Sequence, residues 1–357
     1  MRDGGTLAIV ILQYGRWRDT IACLQSLVPA IESGTVRIVV VDNASPDDSV
    51  QQLRAWMGGG YSEMARPIHD SVAAHWWPLI GADGTWDERS AGNHQSEHTL
   101  APWTLLRAPV NDGFAAGMNH GIRLALADPS VDAVWLLNND TVVAPETTST
   151  IRHALNTLPA SVGQLGTTVC YYDRPMIVQS VGWCRWNSWL ATSHRVHDGA
   201  SRTQPLGRTP VAPGYVYGAS WILRAAALRD VGLLSEEGFL YGEELDWSCR
   251  AAGAWRTALI EDAVVWHREG ATVGGGLGTI ATRSELADLC AISARLRLSR
   301  RFFPQRLPLV YSSLLGAALN RLRRGDARRA AAVARLVLAG GLPAPRPSVA
   351  PHSTPTL

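Results

Sequence analysis

Two apolar runs near the start of the chain decide its fold: Leu7-Ala8-Ile9-Val10-Ile11-Leu12, ending at Gln13-Tyr14-Gly15, and Val36-Arg37-Ile38-Val39-Val40-Val41, broken by Asp42-Asn43-Ala44-Ser45-Pro46. Both are short and rich in β-branched residues, and bounded by turn formers, so both read as strands. Neither alternates apolar with polar residues, which points to a sheet covered on both faces. Between them, Asp19–Leu27 places Ile21, Leu24 and Leu27 on one helical face. Strand, helix and strand in that order predict an α/β fold with a mostly parallel sheet flanked by helices. Ligands of such sheets gather outside the carboxyl ends of the strands. Asp42 and Asn43 stand at one of those ends.

The alternation continues along the chain. Gly-rich Asn111–Asn119 leads into a helix expected over Ile122–Ala127, and Val131–Leu137 reads as a strand that stops at Asn138-Asn139-Asp140. Tyr215–Leu223 reads as a strand, Arg224–Val231 as a helix ended by Gly232, and Leu240–Ala252 as a helix with acids at its start. A short strand, Ala263–Trp266, runs into His267. Between Trp56 and Trp103 the pattern gives way to Gly, Pro, His and Trp, which predicts an insertion folded over the site. Beyond Arg283 the pattern is helical, and after Gly340 it becomes Pro-rich, as in a disordered tail. The expected organisation is an α/β domain over residues 1–282 with an insertion at 56–103, a basic helical region at 283–340, and a disordered tail at 341–357.

Composition removes several classes of function. The 357 residues are 46% hydrophobic and 18% charged, as a chain with a sizeable core should be, and the net charge of +2 is too small to mark a nucleic-acid partner. Every basic residue is arginine. Without lysine there is no Gly-Lys-Ser/Thr phosphate loop, and neither the dinucleotide fingerprint nor a Gly-x-Ser-x-Gly elbow occurs. The widely spaced Cys23, Cys170, Cys184, Cys249 and Cys290 predict free thiols in a reducing compartment. No apolar run approaches the roughly 20 residues of a membrane-spanning helix, and the first residues do not read as a signal peptide. The expected location is cytoplasmic, at most peripheral at the inner face of the plasma membrane. Arginines crowd the segment from Arg295 to Arg335 among Phe302-Phe303-Pro304 and Leu307–Leu315. That mixture suits an anionic membrane surface, or equally a helical pair that packs on the domain and solvates a basic face.

Four constellations carry candidate chemistry. Asp42, with Asn43 and Ser45, has acceptors for a ribose or a base imide, or forms a turn that caps the next helix with Asp47 and Asp48. Asp140, after a fully apolar strand, has the hard oxygen ligands that Mg²⁺ or Mn²⁺ prefer when the ion bridges a diphosphate, or is a polar strand end. Glu243, Glu244 and Asp246 lie within four positions and repel one another, which suits a general base or a metal partner. At helical spacing Glu243 and Asp246 share a face and Glu244 points elsewhere. Their other reading is complementing the dipole of a helix N-terminus. His267, at a strand end, is a ligand, a phosphate donor or a structural histidine.

In this order the segments resemble family 2 of the inverting glycosyltransferases, in particular its bacterial rhamnosyltransferase-like branch. The resemblance rests on Val41-Asp42-Asn43-Ala44-Ser45-Pro46-Asp47, Asn111 to Gly121 (NDGFAAGMNHG), Leu136-Leu137-Asn138-Asn139-Asp140-Thr141, Gly218-Ala219 with Arg224, Gly238 to Arg250, and His267, and it spans roughly positions 6 to 310. It implies a GT-A (Rossmann-like) fold with a C-terminal helical appendage, and a nucleotide-sugar donor such as dTDP-rhamnose or a UDP-sugar. The acceptor it implies is a hydroxyl of a cell-surface glycan or a lipid-linked glycan, and the cofactor Mg²⁺ or Mn²⁺. Carried over, Asp42 holds the base or ribose, with Tyr14, Asn43, Asn111, Asn119 and Asn139 also at the donor nucleotide. Asp140 and His267 become metal-side residues, and Glu244 becomes the catalytic base with Glu243 and Asp246 beside it. Two positions depart from the pattern: the metal motif keeps only its last acid, and the base is Glu rather than Asp, one methylene longer. Two other readings stand beside this one. A sugar nucleotidyltransferase needs a Gly-rich, Arg- or Lys-bearing loop after the first strand, which Gln13-Tyr14-Gly15-Arg16-Trp17 does not supply. A non-catalytic nucleotide-sugar-binding module has no need of Asp140, Glu244 and His267 together.

Overall fold

The computed structural model describes residues 5–31, 34–59, 85–92, 99–206, 210–268 and 284–341. The first unit is β1 (Thr6–Gln13), α1 (Trp17–Ile31) and β2 (Val36–Asp42), with the strands parallel and Gln13 level with Asp42. Then come α2 (Ser49–Met57), β3 (Trp86–Ser90), β4 (Trp103–Arg107), α3 (Phe114–Leu126), β5 (Val131–Asn138), β6 (Thr141–Val143), α4 (Thr147–Thr157) and β7 (Val162–Tyr171). The second half adds β8 (Val178–Ser180), β9 (Trp183–Asn187), β10 (Thr192–Arg195), β11 (Gly214–Val216), β12 (Ser220–Arg224), α5 (Ala225–Val231), α6 (Glu243–Ala251) and β13 (Arg256–His267).

The main sheet runs β3-β4-β2-β1-β5-β12-β7-β13-β6, with β8 attached to β7. Its first five strands are mutually parallel. β12 is antiparallel to both neighbours, so its start lies where β5 ends. One face packs on α1, α2 and α4 through residues such as Leu24, Trp56 and Ile151. The other packs on α3, α5 and α6 through Met118, Leu228 and Trp247. Every interior residue of β1 from Leu7 to Val10 is fully buried, which is why that strand reads as one unbroken apolar run. A small antiparallel sheet, β10-β9-β11, lies beside α6.

Four expectations change. The Gly-rich segment is itself helical, because α3 begins at Phe114 rather than Ile122. The stretch 215–223 is two strands in different sheets, broken around Gly218. The helix expected from Leu240 begins at Glu243. Within the supposed insertion, Trp86–Ser90 is an edge strand of the main sheet on β4; residues 60–84 and 93–98, like the tail after 341, lie outside the described residues.

The basic region forms α7 (Glu285–Phe302), α8 (Leu307–Arg323) and α9 (Ala327–Leu338). They pack on one another and on α6 through Leu245, Ile292, Leu296, Val310, Leu314 and Val333. Much of the arginine excess ties them down. Arg295 donates to the carbonyls of Ala191 and Leu190, Arg301 to Asp246, and Arg321 pairs with Asp288 in the interior. All five cysteines are free. No helix among the described residues is long and apolar enough to cross a membrane.

Candidate functional site

The turn after β2 begins the site. One Asp42 carboxylate oxygen accepts from the Ser45 amide at 3.2 Å. The other, Oδ1, is buried without a hydrogen-bond partner, as is Oδ1 of Asn43. The N-cap of α2 is Asp48, and the Ser49 amide donates to Asp47, so Asp42 takes no part in capping and is left with an acceptor to offer. Burial pushes the Asp42 carboxyl above its ordinary range, against the pull of Ser45 and Arg107. An unpaired buried acceptor costs about 1–3 kcal/mol, and a ligand N–H or O–H would remove that cost.

From this turn, hydrogen bonds run round a rim in both directions. Asn43 Nδ2 donates to Asn111 Oδ1 at 3.0 Å and to the Gly113 carbonyl at 3.2 Å. The Phe114 amide then donates to the Phe239 carbonyl at 2.9 Å, tying the start of α3 to the loop before α6. In that loop Tyr241 holds φ at 73°, a left-handed conformation costly for a side chain with a Cβ. In the other direction, the Gln13 side chain donates to Ser45 at 3.3 Å and accepts from Thr20 at 2.8 Å. Asn139 donates to Thr20 at 3.0 Å. Asp140 follows directly.

Asp140 and His267 form the next element, with Nε2 3.2 Å from the carboxylate. β13 ends at His267, which pairs with Thr141 in the register of β6. The Nδ1 atom lies 2.8 Å from Gln179 Oε1. Because an amide oxygen can only accept, Nδ1 carries a proton, and Nε2 faces Asp140. A proton on Nε2, or a cation held by both groups, would satisfy this contact. Burial alone would raise the Asp140 carboxyl; the charge and hydrogen bond of His267 reverse this and hold it below its ordinary value. Among the described residues no three His, Cys, Asp or Glu side chains form a metal cage. Asp140 and His267 offer an oxygen and a nitrogen of the kind that bind a cation whose remaining ligands come from phosphate oxygens.

Glu244 completes the rim. It sits in the first turn of α6, and its carboxylate lies against Gly218: a Cβ added there would fall 2.0 Å from Oε1. The following residue, Ala219, accepts from the Asn138 amide at 3.1 Å, which joins this turn to the end of β5. Burial, and then repulsion from Glu243, push the Glu244 carboxyl up to about 8. Glu243 is itself raised by burial, with Arg297 opposing.

Not every candidate faces the rim. Asp246 is buried between Arg250 at 2.7 Å and Arg301 at 2.9 Å, so it anchors α6 to α7. Asn119 is fully buried. It donates to the Leu234 carbonyl and Glu236, and accepts from the Leu234 amide, bracing that loop against α3. Glu243 lies on the Arg297 side of α6, and Tyr14 is exposed just past β1. Sequence reasoning missed Gln13 and Thr20, which carry the hydrogen-bonded network under the rim, and Gln179, which fixes the His267 tautomer. It also missed Tyr217, whose hydroxyl donates to Gln179 at 3.2 Å.

No protein-family model matches this chain, and no curated protein matches it in sequence. Solved structures match it in fold. GalNAc-T7, in a crystal structure with UDP, GalNAc and Mn²⁺, aligns over 95% of this chain at 11% identity and a TM-score of 0.51. This chain spans 57% of the GalNAc-T7 chain. The mannosyltransferase PcManGT from Pyrobaculum calidifontis, in complex with GDP-Man and Mn²⁺, aligns over 95% of this chain and 86% of its own, at 14% identity and a TM-score of 0.47. S. aureus TarS 1-349 with UDP-GlcNAc aligns over 94% and 92%, at 12% identity and a TM-score of 0.47. The likeness to GalNAc-T7 is one of fold: the α/β GT-A arrangement expected from the sequence is the arrangement of this chain.

Proposed function

We propose that this protein transfers a sugar from a nucleoside-diphosphate donor to an acceptor hydroxyl, with inversion at the anomeric carbon. The observation that carries the reading is continuity: the unpartnered oxygen of Asp42 and the Asp140–His267 pair lie along one run of hydrogen-bonded residues at the ends of β2, β5 and β13, and the Glu244 carboxylate lies against Gly218, whose neighbour Ala219 accepts from the end of β5. The GT-A arrangement and the motif resemblance to family 2 support it.

Asp42 and Asn43 accept from the base or ribose of the donor, with Asn111 beside them and Asn139 beneath. Tyr14, exposed just past β1, covers the nucleotide in this reading. Asp140 and His267 would hold Mg²⁺ or Mn²⁺, which supplies neutralisation of the charge that grows on the leaving diphosphate. Glu244 removes the proton of the acceptor hydroxyl as that oxygen bonds to the anomeric carbon. The bond from the anomeric carbon to the diphosphate oxygen breaks on the opposite side, and one displacement without a covalent intermediate inverts the configuration. The longer base has room because Gly218 has no side chain to fill the space its carboxylate occupies.

The first donors to test are dTDP-rhamnose and UDP-sugars. The acceptor is a glycan or lipid-linked glycan of cell-wall or polysaccharide synthesis, met at the cytoplasmic face of a membrane. The experiment is release of nucleotide diphosphate from a donor panel, with and without Mn²⁺, together with thermal shift by each donor. Donor-dependent stabilisation with metal-dependent release is the expected result. Stabilisation without release would favour a binding module, and pyrophosphate-dependent formation of nucleoside triphosphate would favour a nucleotidyltransferase. A chain that no donor stabilises defeats the proposal.

A further inference from the structure

The far side of α8 carries a surface that the rim does not use. Val310, Leu314, Ala318 and Arg321 are buried on the side facing α7 and α9. The opposite side presents Leu309, Leu315, Leu319 and Leu322 to solvent, the last at 52% exposure. Leu315, Leu319 and Leu322 follow i, i+4, i+7 spacing, the stripe a helix normally buries. Beside Leu309 stands the tip of the β9–β10 hairpin, where Trp189 is 53% exposed. Ser313 of α8 donates to the Leu190 carbonyl at 3.0 Å, and the Arg306 guanidinium lies 4.6 Å from the Trp189 ring centre. The tip thus packs on the Arg306 and Ser313 flank of α8, across the exposed face from Leu315, Leu319 and Leu322, and the two border that face from either side.

Within α8 the charge has a single sign, and the acid that follows it, Asp326, is paired with Arg329. No acidic residue occurs between Leu289 and Gly325, while Arg323 and Arg324 are exposed at the end of α8. We infer that α8 and the Trp189 tip dock the protein on an anionic lipid bilayer surface, with the leucines and Trp189 entering the headgroup boundary and the arginines meeting lipid phosphates. A tryptophan at headgroup depth, leucines below it and snorkelling arginines are the distribution that such an interface selects. A second copy of this chain is a poorer occupant. A two-fold contact through α8 would set the same cationic surface against itself with no acid on the helix to offset it. A soluble polyanion would satisfy the arginines and leave the leucines in water.

The position of the patch gives docking a use. The β9–β10–β11 sheet reaches from this tip to Cys184 and Tyr215, the groups on which the Glu244 charge acts. A lipid-linked acceptor held at the membrane would approach the base from this side. That last step rests on the proposed sugar transfer; docking itself does not.

Flotation of the full chain with vesicles of neutral phosphatidylcholine, or of phosphatidylcholine containing phosphatidylglycerol, tests the docking without any sugar nucleotide. The wild type should float with the anionic vesicles alone and release at high salt. The double variant Leu315→Glu, Leu319→Glu should lose about tenfold in partitioning, with donor-dependent thermal shift unchanged, since neither residue touches the rim. Flotation with neither vesicle, equal flotation with both, or an undiminished double variant would each overturn the inference. So would light scattering that shows a dimer which the double variant dissolves, and so would binding of inorganic polyphosphate that competes with vesicles and ignores the leucine substitutions.

Discussion

Replacing Glu244 with Gln should abolish transfer and, at the same time, make the protein more stable at neutral pH. The carboxyl is raised from 4.5 to about 8 by burial and by Glu243. Between those values the folded chain keeps a proton that the unfolded chain has released, so unfolding releases a proton and stability falls as pH rises. Each pH unit in that window costs roughly 1.4 kcal/mol, which near neutrality amounts to roughly 3 kcal/mol relative to mildly acidic solution. Glutamine keeps the shape and cannot ionise, so the variant should recover much of that loss, a rise of several degrees in Tm. Under the proposed mechanism the same titration acts on activity with the opposite sign: a base works only when ionised, so kcat/KM of the wild type should climb as pH passes about 8. The assay is thermal unfolding of both proteins across that range, beside kcat/KM for the best donor and donor binding by calorimetry. Turnover at the wild-type level in Glu244→Gln refutes the role of base. Parallel Tm profiles for the two proteins refute the buried, proton-holding carboxyl on which the role is built.

Gly218→Ala should depress kcat by an order of magnitude or more while donor affinity holds, because the new methyl would occupy the place of the Glu244 carboxylate; unchanged kcat would show that the carboxylate has room elsewhere. Asp140→Ala should abolish the Mn²⁺ dependence of donor binding along with activity, and a Mn²⁺ titration by calorimetry identical to wild type would count against that site. Asn119→Ala should destabilise the fold by about 1–3 kcal/mol, since it strips three hydrogen bonds from a buried loop; a donor Kd that weakens with no change in Tm would return Asn119 to the nucleotide site.

The strands that carry the rim were legible because burial on both faces leaves no polar alternation to confuse them, and β1, β2 and β5 each end at a polar cluster. The start of α3 was not. Its glycines read as a loop, yet Gly117 and Gly121 are helical residues, and a Cβ at either would fall within 2.5 Å of Leu12 or Val10 on the sheet beneath. Close packing of a helix on a sheet and a flexible loop leave the same mark in sequence. Asp246 illustrates the limit for charge clusters: spacing separated it from Glu244, but nothing local revealed that Arg301, 55 positions onward, would neutralise it. Gln179 left no signal. One glutamine in a three-residue strand acquires meaning only when β8 lies beside β7 and brings it to His267.

β12 has a consequence for the molecule as a whole. This reversed strand is the seam between two structural halves, because it alone stands between β5 and β7 in the sheet. Asp42 comes from the earlier half, Glu244 and His267 from the later one, and Asp140 from the junction. A donor bound as proposed would therefore staple the halves together. Protection of β12 amides from hydrogen exchange should grow with donor occupancy, so the centre of the sheet would report an event at its edge.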